Sequence, residues 1–112
     1  KETSDIDISI DDKCSDITYI DQIKSLLPKL SETANPDFIF YLCGVDILKT
    51  DKLGRLGVSM KGCKKRDELV LNFCKENGIP VQCSMGGGYS EDLKVIIEAH
   101  ANTFRTAKEI FT

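Results

Sequence analysis

The sequence predicts an α/β fold, a parallel sheet with helices packed on it. Three observations carry that prediction. Phe38-Ile39-Phe40-Tyr41-Leu42-Cys43 is a short continuous apolar run, the pattern of a strand buried on both faces of a parallel sheet. Ile79-Pro80-Val81-Gln82-Cys83-Ser84 is a second stretch of the same kind. Segments with apolar residues at helical spacing precede, separate and follow the two runs, and such alternation is the mark of parallel strands joined by helices.

The elements follow in order. Residues 1–13 are acidic, and Ile6, Ile8 and Ile10 alternate with polar residues. Period-2 patterning predicts a short half-exposed strand or an extended arm, and a loosely held terminus is the plainer alternative. Ser15 or Asp16 can cap a helix whose stripe is Ile20, Ile23, Leu27 and Leu30. Pro28 lies inside that stripe and should kink the helix or restart it a turn later, because it lacks a backbone donor. Asn35-Pro36-Asp37 is turn chemistry, and the Phe38–Cys43 strand follows. Residues 47–58 read as a loop carrying Lys49, Asp51, Lys52, Gly54 and Gly57. Ser59 can cap the next helix, with Met60, Cys63, Val70, Phe73 and Cys74 inward and Asn77-Gly78 as its stop. Arg66 and Asp67 fall on or beside the inner line, so a buried partner is expected for one of them. After the Ile79–Ser84 strand, Glu91 and Asp92 complement the dipole at the start of a last helix. Leu93, Ile96, Ile97, Phe104 and Phe111 form its expected apolar face.

The composition fits a single segment spanning residues 1–112. Hydrophobic residues make up 41% and charged residues 29%, ordinary values for a globular chain. A chain of this length can bury roughly 65% of its unfolded surface. The net charge of −3 argues against direct nucleic-acid binding, which needs a basic patch. No apolar run is long enough to span a bilayer, and none reads as a signal peptide. The five cysteines are odd in number and form no Cys-x-x-Cys pair. They point to a reduced, cytoplasmic protein whose thiols are small core hydrophobes, rather than to disulfides or a cysteine metal site. The first residue is Lys1, and the chain is expected to be a piece of something longer.

Chemistry is expected past the carboxyl ends of the strands, where open α/β sheets place their ligands. Asp46 ends the first strand run. It can cap the next turn, or it can serve a metal or a reaction. Gly86-Gly87-Gly88-Tyr89 follows the second run. Three glycines let backbone approach a neighbour closely. The run lacks the lysine and spacing of a P-loop and the pattern of a dinucleotide fingerprint. It can hold Tyr89 over a pocket, where a phenol donates to a developing oxyanion, or it can be a tight turn with Tyr89 packed as a plug. His100, the one histidine, shares a helix face with Ile96 and Phe104 and reads as a buried, hydrogen-bonded core residue.

Several motifs occur together. Gly44-Val45-Asp46-Ile47-Leu48, then Asp51-Lys52-Leu53-Gly54 and Leu56, then Ser59, Gly62 and Arg66-Asp67, and finally Gly86-Gly87-Gly88-Tyr89 resemble the C-terminal part of the histone deacetylase family. The likeness is to the class IV branch and its bacterial relatives, and the ending Ala99-His100-Ala101-Asn102-Thr103-Phe104-Arg105 is similar to those bacterial members. The resemblance runs from about Asp5 to the end.

It implies a three-layer α/β/α arrangement, part of the arginase/deacetylase fold, and zinc-dependent hydrolysis of an acyl-lysine-type amide. It implies that Asp46 is one metal ligand and Tyr89 the catalytic tyrosine, with Gly86, Gly87 and Gly88 as the active-site loop. The family's Asp-x-His and His-His pairs have no counterpart in this sequence, and His100 matches no catalytic position. The chain alone is therefore expected to be inactive and to bind zinc weakly. Its expected partners are the N-terminal remainder of the same catalytic domain, an acylated lysine or small amine, and a second copy of itself. An acetylpolyamine-type deacetylase of the same superfamily and a non-catalytic α/β binding module are the alternatives.

Overall fold

The computed structural model describes residues 4–51 and 56–112. Five elements follow one another: α1 (Asp16–Thr33), β1 (Ile39–Leu42), α2 (Met60–Glu76), β2 (Val81–Ser84) and α3 (Leu93–Phe111). β1 and β2 pair in parallel, Ile39 against Val81 through Leu42 against Ser84, with α2 as the crossover. The α/β expectation therefore holds.

Of the two expectations for the amino-terminal residues, the extended arm describes Ser4–Ile10 and the strand does not. Ile8 is 43% exposed, whereas Ile10 packs partly buried against the core, and no described residue pairs with the arm as a strand. Ser15 stands at the N-cap position of α1 without a side-chain hydrogen bond to the backbone of the helix, which runs through Pro28 as one element. Pro28 is exposed. Burial of Tyr19, Ile20, Ile23 and Leu27 on the other face offsets the roughly 3 kcal/mol that an interior proline costs.

α2 begins as its sequence dictates. Ser59 Oγ accepts from the Gly62 N–H at 3.0 Å. Asp16, in the first turn of α1, accepts from the Ser59 N–H at 2.7 Å and from the Ser59 hydroxyl. One carboxylate thus serves the N-termini of two helices. A Cβ at Gly62 would collide with that carboxylate, which is why glycine stands in a first helical turn. The inner face of α2 carries Cys63, Arg66, Asp67, Leu71 and Cys74 buried, with Met60, Val70 and Phe73 partly so.

Two apolar surfaces depart from expectation. β1 is not buried on both faces: Phe40 is 70% and Leu42 79% exposed, while Ile39 and Tyr41 are partly buried. Tyr41 points towards Asp67 on α2, while Phe40 meets the Phe38 ring, 4.9 Å between centroids, and stays largely open, as Leu42 does. α3 presents Ala99, Thr103 and Thr106 to the interior, whereas Leu93, Ile97, Phe104 and Phe111 are 66%, 59%, 46% and 43% exposed. Small residues at the contact let α3 lie close to α2, and the large residues are left outside.

Candidate functional site

The site is a product of strand register. The ladder runs on past the strands: Cys43 N–H donates to Ser84 O, and Val45 N–H to Gly86 O, both at 3.1 Å. Asp46 therefore rises beside the glycine turn. A Cβ at Gly87 would stand 3.2 Å from Asp46 Cβ, and one at Gly88 would stand 2.9 Å from both Val45 Cγ2 and Ile96 Cγ2. Both glycines have positive φ, at 66° and 103°, a region that side chains rarely adopt. The turn is glycine because its backbone packs directly on the Asp46 segment. Asp46 itself is exposed at this rim.

Tyr89 emerges from the same turn and is 54% exposed. It is fixed by backbone rather than by packing of its ring. Its N–H donates to Asp51 Oδ1 at 2.6 Å, and Asp51 and Ser90 form an antiparallel bridge. Thr50 Oγ1 and Ser90 Oγ lie 2.8 Å apart in a further hydrogen bond. Lys49 N–H and Val58 N–H close the loop base on Val58 O and Ile47 O, at 2.9 and 3.3 Å. The expected loop is thus partly ordered by its own backbone. Lys52, Leu53 and Gly54 lie outside the described residues.

Beneath the rim sits a buried polar group. Arg66 is 4% and Asp67 0% exposed. Asp67 accepts from the Tyr41 hydroxyl on β1, from Thr103 Oγ1 on α3, and from Arg66 Nε at 3.1 Å. Arg66 Nη2 lies 3.0 Å from Asp67 Oδ1 as an ion pair and makes no hydrogen bond of its own, while Nη1 donates to Gly44 O at 2.7 Å. Burial pushes the Tyr41 phenol well above its ordinary range, so it stays a donor. Burial opposes the Arg66 charge, but the Asp67 carboxylate beside it favours that charge and holds the guanidinium ionised.

Asp51 as the anchor of Tyr89, and Arg66 as the partner of the Gly44 carbonyl, were not readable in advance. Asp51 stands among lysines in a loop and looks solvated, yet it is 8% exposed. The one signal for Arg66 was a charged pair on an apolar helix line. His100 is half-buried next to Gly88, and its Nδ1 is a buried atom without a hydrogen bond, contrary to the hydrogen-bonded histidine expected.

All five cysteines are free thiols. Burial raises Cys63 and Cys83 to about 11, so they are inert hydrophobes rather than nucleophiles. Among the described residues no three His, Cys, Asp or Glu side chains gather to hold a metal ion. A catalytic zinc takes three protein ligands, so these residues do not by themselves fit a zinc site; Asp46 is a single donor. None of the described helices is long and apolar enough to cross a membrane.

Residues 1–105 match the model of the histone deacetylase domain. The chain belongs to the histone deacetylase family. It is 32% identical over 111 residues to an uncharacterised protein of Picosynechococcus, covering 99% of this chain and 37% of that protein. It is 34% identical over 88 residues to histone deacetylase 2 of Arabidopsis thaliana, covering 78% of this chain and 23% of that one. It is 31% identical over 85 residues to histone deacetylase RPD3 of Saccharomyces cerevisiae, with 76% and 19% covered. The chain thus spans between about a fifth and two fifths of these relatives' lengths. The helices and the small parallel sheet are compatible with a segment of the arginase/deacetylase fold that the family resemblance implies.

Proposed function

We propose that this chain is the C-terminal part of an amide hydrolase that removes acyl groups from lysine side chains or small amines. The observation that carries the reading is the rim itself, with Asp46 against the glycine turn and Tyr89 fixed at its far end by Asp51. Family membership and the curated histone deacetylases among its relatives support the reaction class. In this reading Asp46 is one donor to a zinc ion whose other ligands, like the general base, lie outside this chain. The ion, when bound, supplies Lewis-acid chemistry.

The work assigned to this chain's own residues is electrostatic. Tyr89 donates its phenolic hydrogen to the oxygen on which charge develops as the amide carbon becomes tetrahedral. Its exposure keeps the hydroxyl accessible to a substrate, and its backbone anchor limits where the ring can swing. The glycine turn carries no side chains, so an acyl group can approach the backbone closely.

Two variants of the complete protein test this. Asp46→Ala is expected to lose metal, measured as zinc per mole of protein. Tyr89→Phe is expected to keep metal and lose about a hundredfold or more in kcat on an acetyl-lysine peptide. A Tyr89→Phe protein of normal rate, or an Asp46→Ala protein with its full zinc, overturns the assignment. The isolated 112-residue chain is expected to bind zinc only weakly by calorimetry and to show no turnover above a zinc-only blank.

A further inference from the structure

We propose that Arg66 is a positioning residue that sets the place of Asp46 in the site; this rests on the reading of Asp46 and Tyr89 given above. The argument lies in one peptide plane. The Gly44 carbonyl accepts from Arg66 Nη1 at 2.7 Å, and the N–H of the same peptide unit, on Val45, donates to Gly86 O at 3.1 Å. The unit is therefore gripped at both ends, from below by the guanidinium and from the side by the glycine turn. Val45 is wholly buried, so its side chain allows no rotation either. Asp46 is the next residue, and its direction follows from that plane.

The guanidinium is itself immobilised. Its Nε donates to Asp67 at 3.1 Å, and its central carbon lies 5.6 Å from the centre of the Tyr41 ring. Asp67 is pinned in turn by Tyr41 on β1 and Thr103 on α3. Three elements thus converge on one planar fork, whose free arm reaches a carbonyl two residues before the candidate ligand. Lysine offers a single ammonium on a flexible stem and cannot meet Asp67 and the Gly44 carbonyl with the same fixed geometry. Burial of such a pair is a weak source of stability, since apolar residues of similar volume commonly serve as well. Its geometric output, a held peptide plane beside Asp46, is what an apolar replacement cannot reproduce.

The test compares Arg66→Lys, the double variant Arg66→Met with Asp67→Leu, and Asp46→Ala in the complete protein. Thermal stability, amide hydrogen exchange and steady-state kinetics on an acetyl-lysine peptide are measured for each. In Arg66→Lys the Val45 amide is expected to exchange about tenfold faster while Leu71 and Ala99 keep their protection. Its kcat is expected to fall about tenfold to a hundredfold with KM within about twofold, the result of a misplaced rather than a missing group. The apolar double variant removes the ion pair but leaves the Tyr41 and Thr103 hydroxyls without their acceptor, so it is expected to melt lower than wild type while staying folded, and still to show the low kcat. Recovery of kcat together with stability in the double variant, or unchanged Val45 exchange and kcat in Arg66→Lys, overturns the inference about Arg66. Full turnover in Asp46→Ala overturns instead the reading on which it rests.

Discussion

At the scale of single residues, the glycine turn shows how a backbone conformation becomes a site. Gly88 has φ 103°, and a side chain there would meet two methyl groups at 2.9 Å. Gly86, two residues earlier, has open space where its Cβ would stand. Gly88→Ala is expected to lower stability by about 2–4 kcal/mol, the left-handed penalty plus overpacking, whereas Gly86→Ala should change it by less than about 0.5 kcal/mol. Urea unfolding midpoints of the two variants decide this. Equal effects would mean that the turn can re-form around a side chain, and that close contact between Gly88 and the Val45 and Ile96 side chains is not required. Three consecutive glycines were legible as an unusual run, but which of them is intolerant of a side chain depends on contacts with Val45 and Asp46, some forty residues earlier, and with Ile96 on α3.

At the scale of elements, the join between α1 and α2 couples local signals that read separately. Alanine is a better helix former than glycine by about 1 kcal/mol, so propensity alone makes Gly62→Ala stabilising. The Asp16 carboxylate occupies that space, so the variant is expected to be destabilised instead, by about 1–3 kcal/mol. Combining Gly62→Ala with Asp16→Gly should recover part of the loss, and circular-dichroism melts of the two proteins measure it. α3 teaches a related lesson about faces. Its apolar residues suggested one stripe, yet the buried side is Ala99, Thr103 and Thr106. A hydrophobic pattern reports where an apolar neighbour is wanted, and α3 packs its small-residue side on α2 first.

At the scale of the whole molecule, apolar surface remains open. Phe40 and Leu42 on β1, Met85 beyond β2, and Leu93 and Ile97 on α3 are each more than half exposed. The outer edge of β1 lines a cleft of about 420 Å³ with Tyr19, Ile23 and Leu27 of α1. Unpaired edges beside apolar surface are templates for pairing. The isolated chain is accordingly expected to form dimers or larger species at micromolar concentration, and sedimentation equilibrium tests it; a monodisperse monomer with cooperative unfolding would contradict the expectation. The core also predicts an alkaline limit. Unfolded thiols ionise near 9.0, whereas Cys63 and Cys83 stay protonated in the fold to about 11. Their contribution is therefore complete below pH 9.0 and is lost as pH rises from there towards 11. Tyr41, shifted upward in the same direction, extends the loss beyond its ordinary 10.0. The Cys63 share is on the order of 2 kcal/mol, and that of the less buried Cys83 is smaller. Unfolding midpoints at neutral pH and at about pH 10.5 should converge in a Cys63→Ala variant relative to wild type.

By itself the sequence determined the alternation of helices and strands, the cap at Ser59, the start of α1 at Ser15, the free thiols and the family. These are set by short-range spacing and local chemistry, which a linear reading contains. It also marked Asp46 and the Gly86–Tyr89 run as the places to look. Only the tertiary structure decided that strand register lays one against the other, that Asp51 holds Tyr89 by its backbone, and that Arg66 grips the Gly44–Val45 peptide ahead of Asp46. It likewise left Phe40, Leu42 and the large residues of α3 uncovered. Each of these depends on groups far apart in the chain, and burial and hydrogen-bond partnership at such distances are properties of packing that no local pattern encodes.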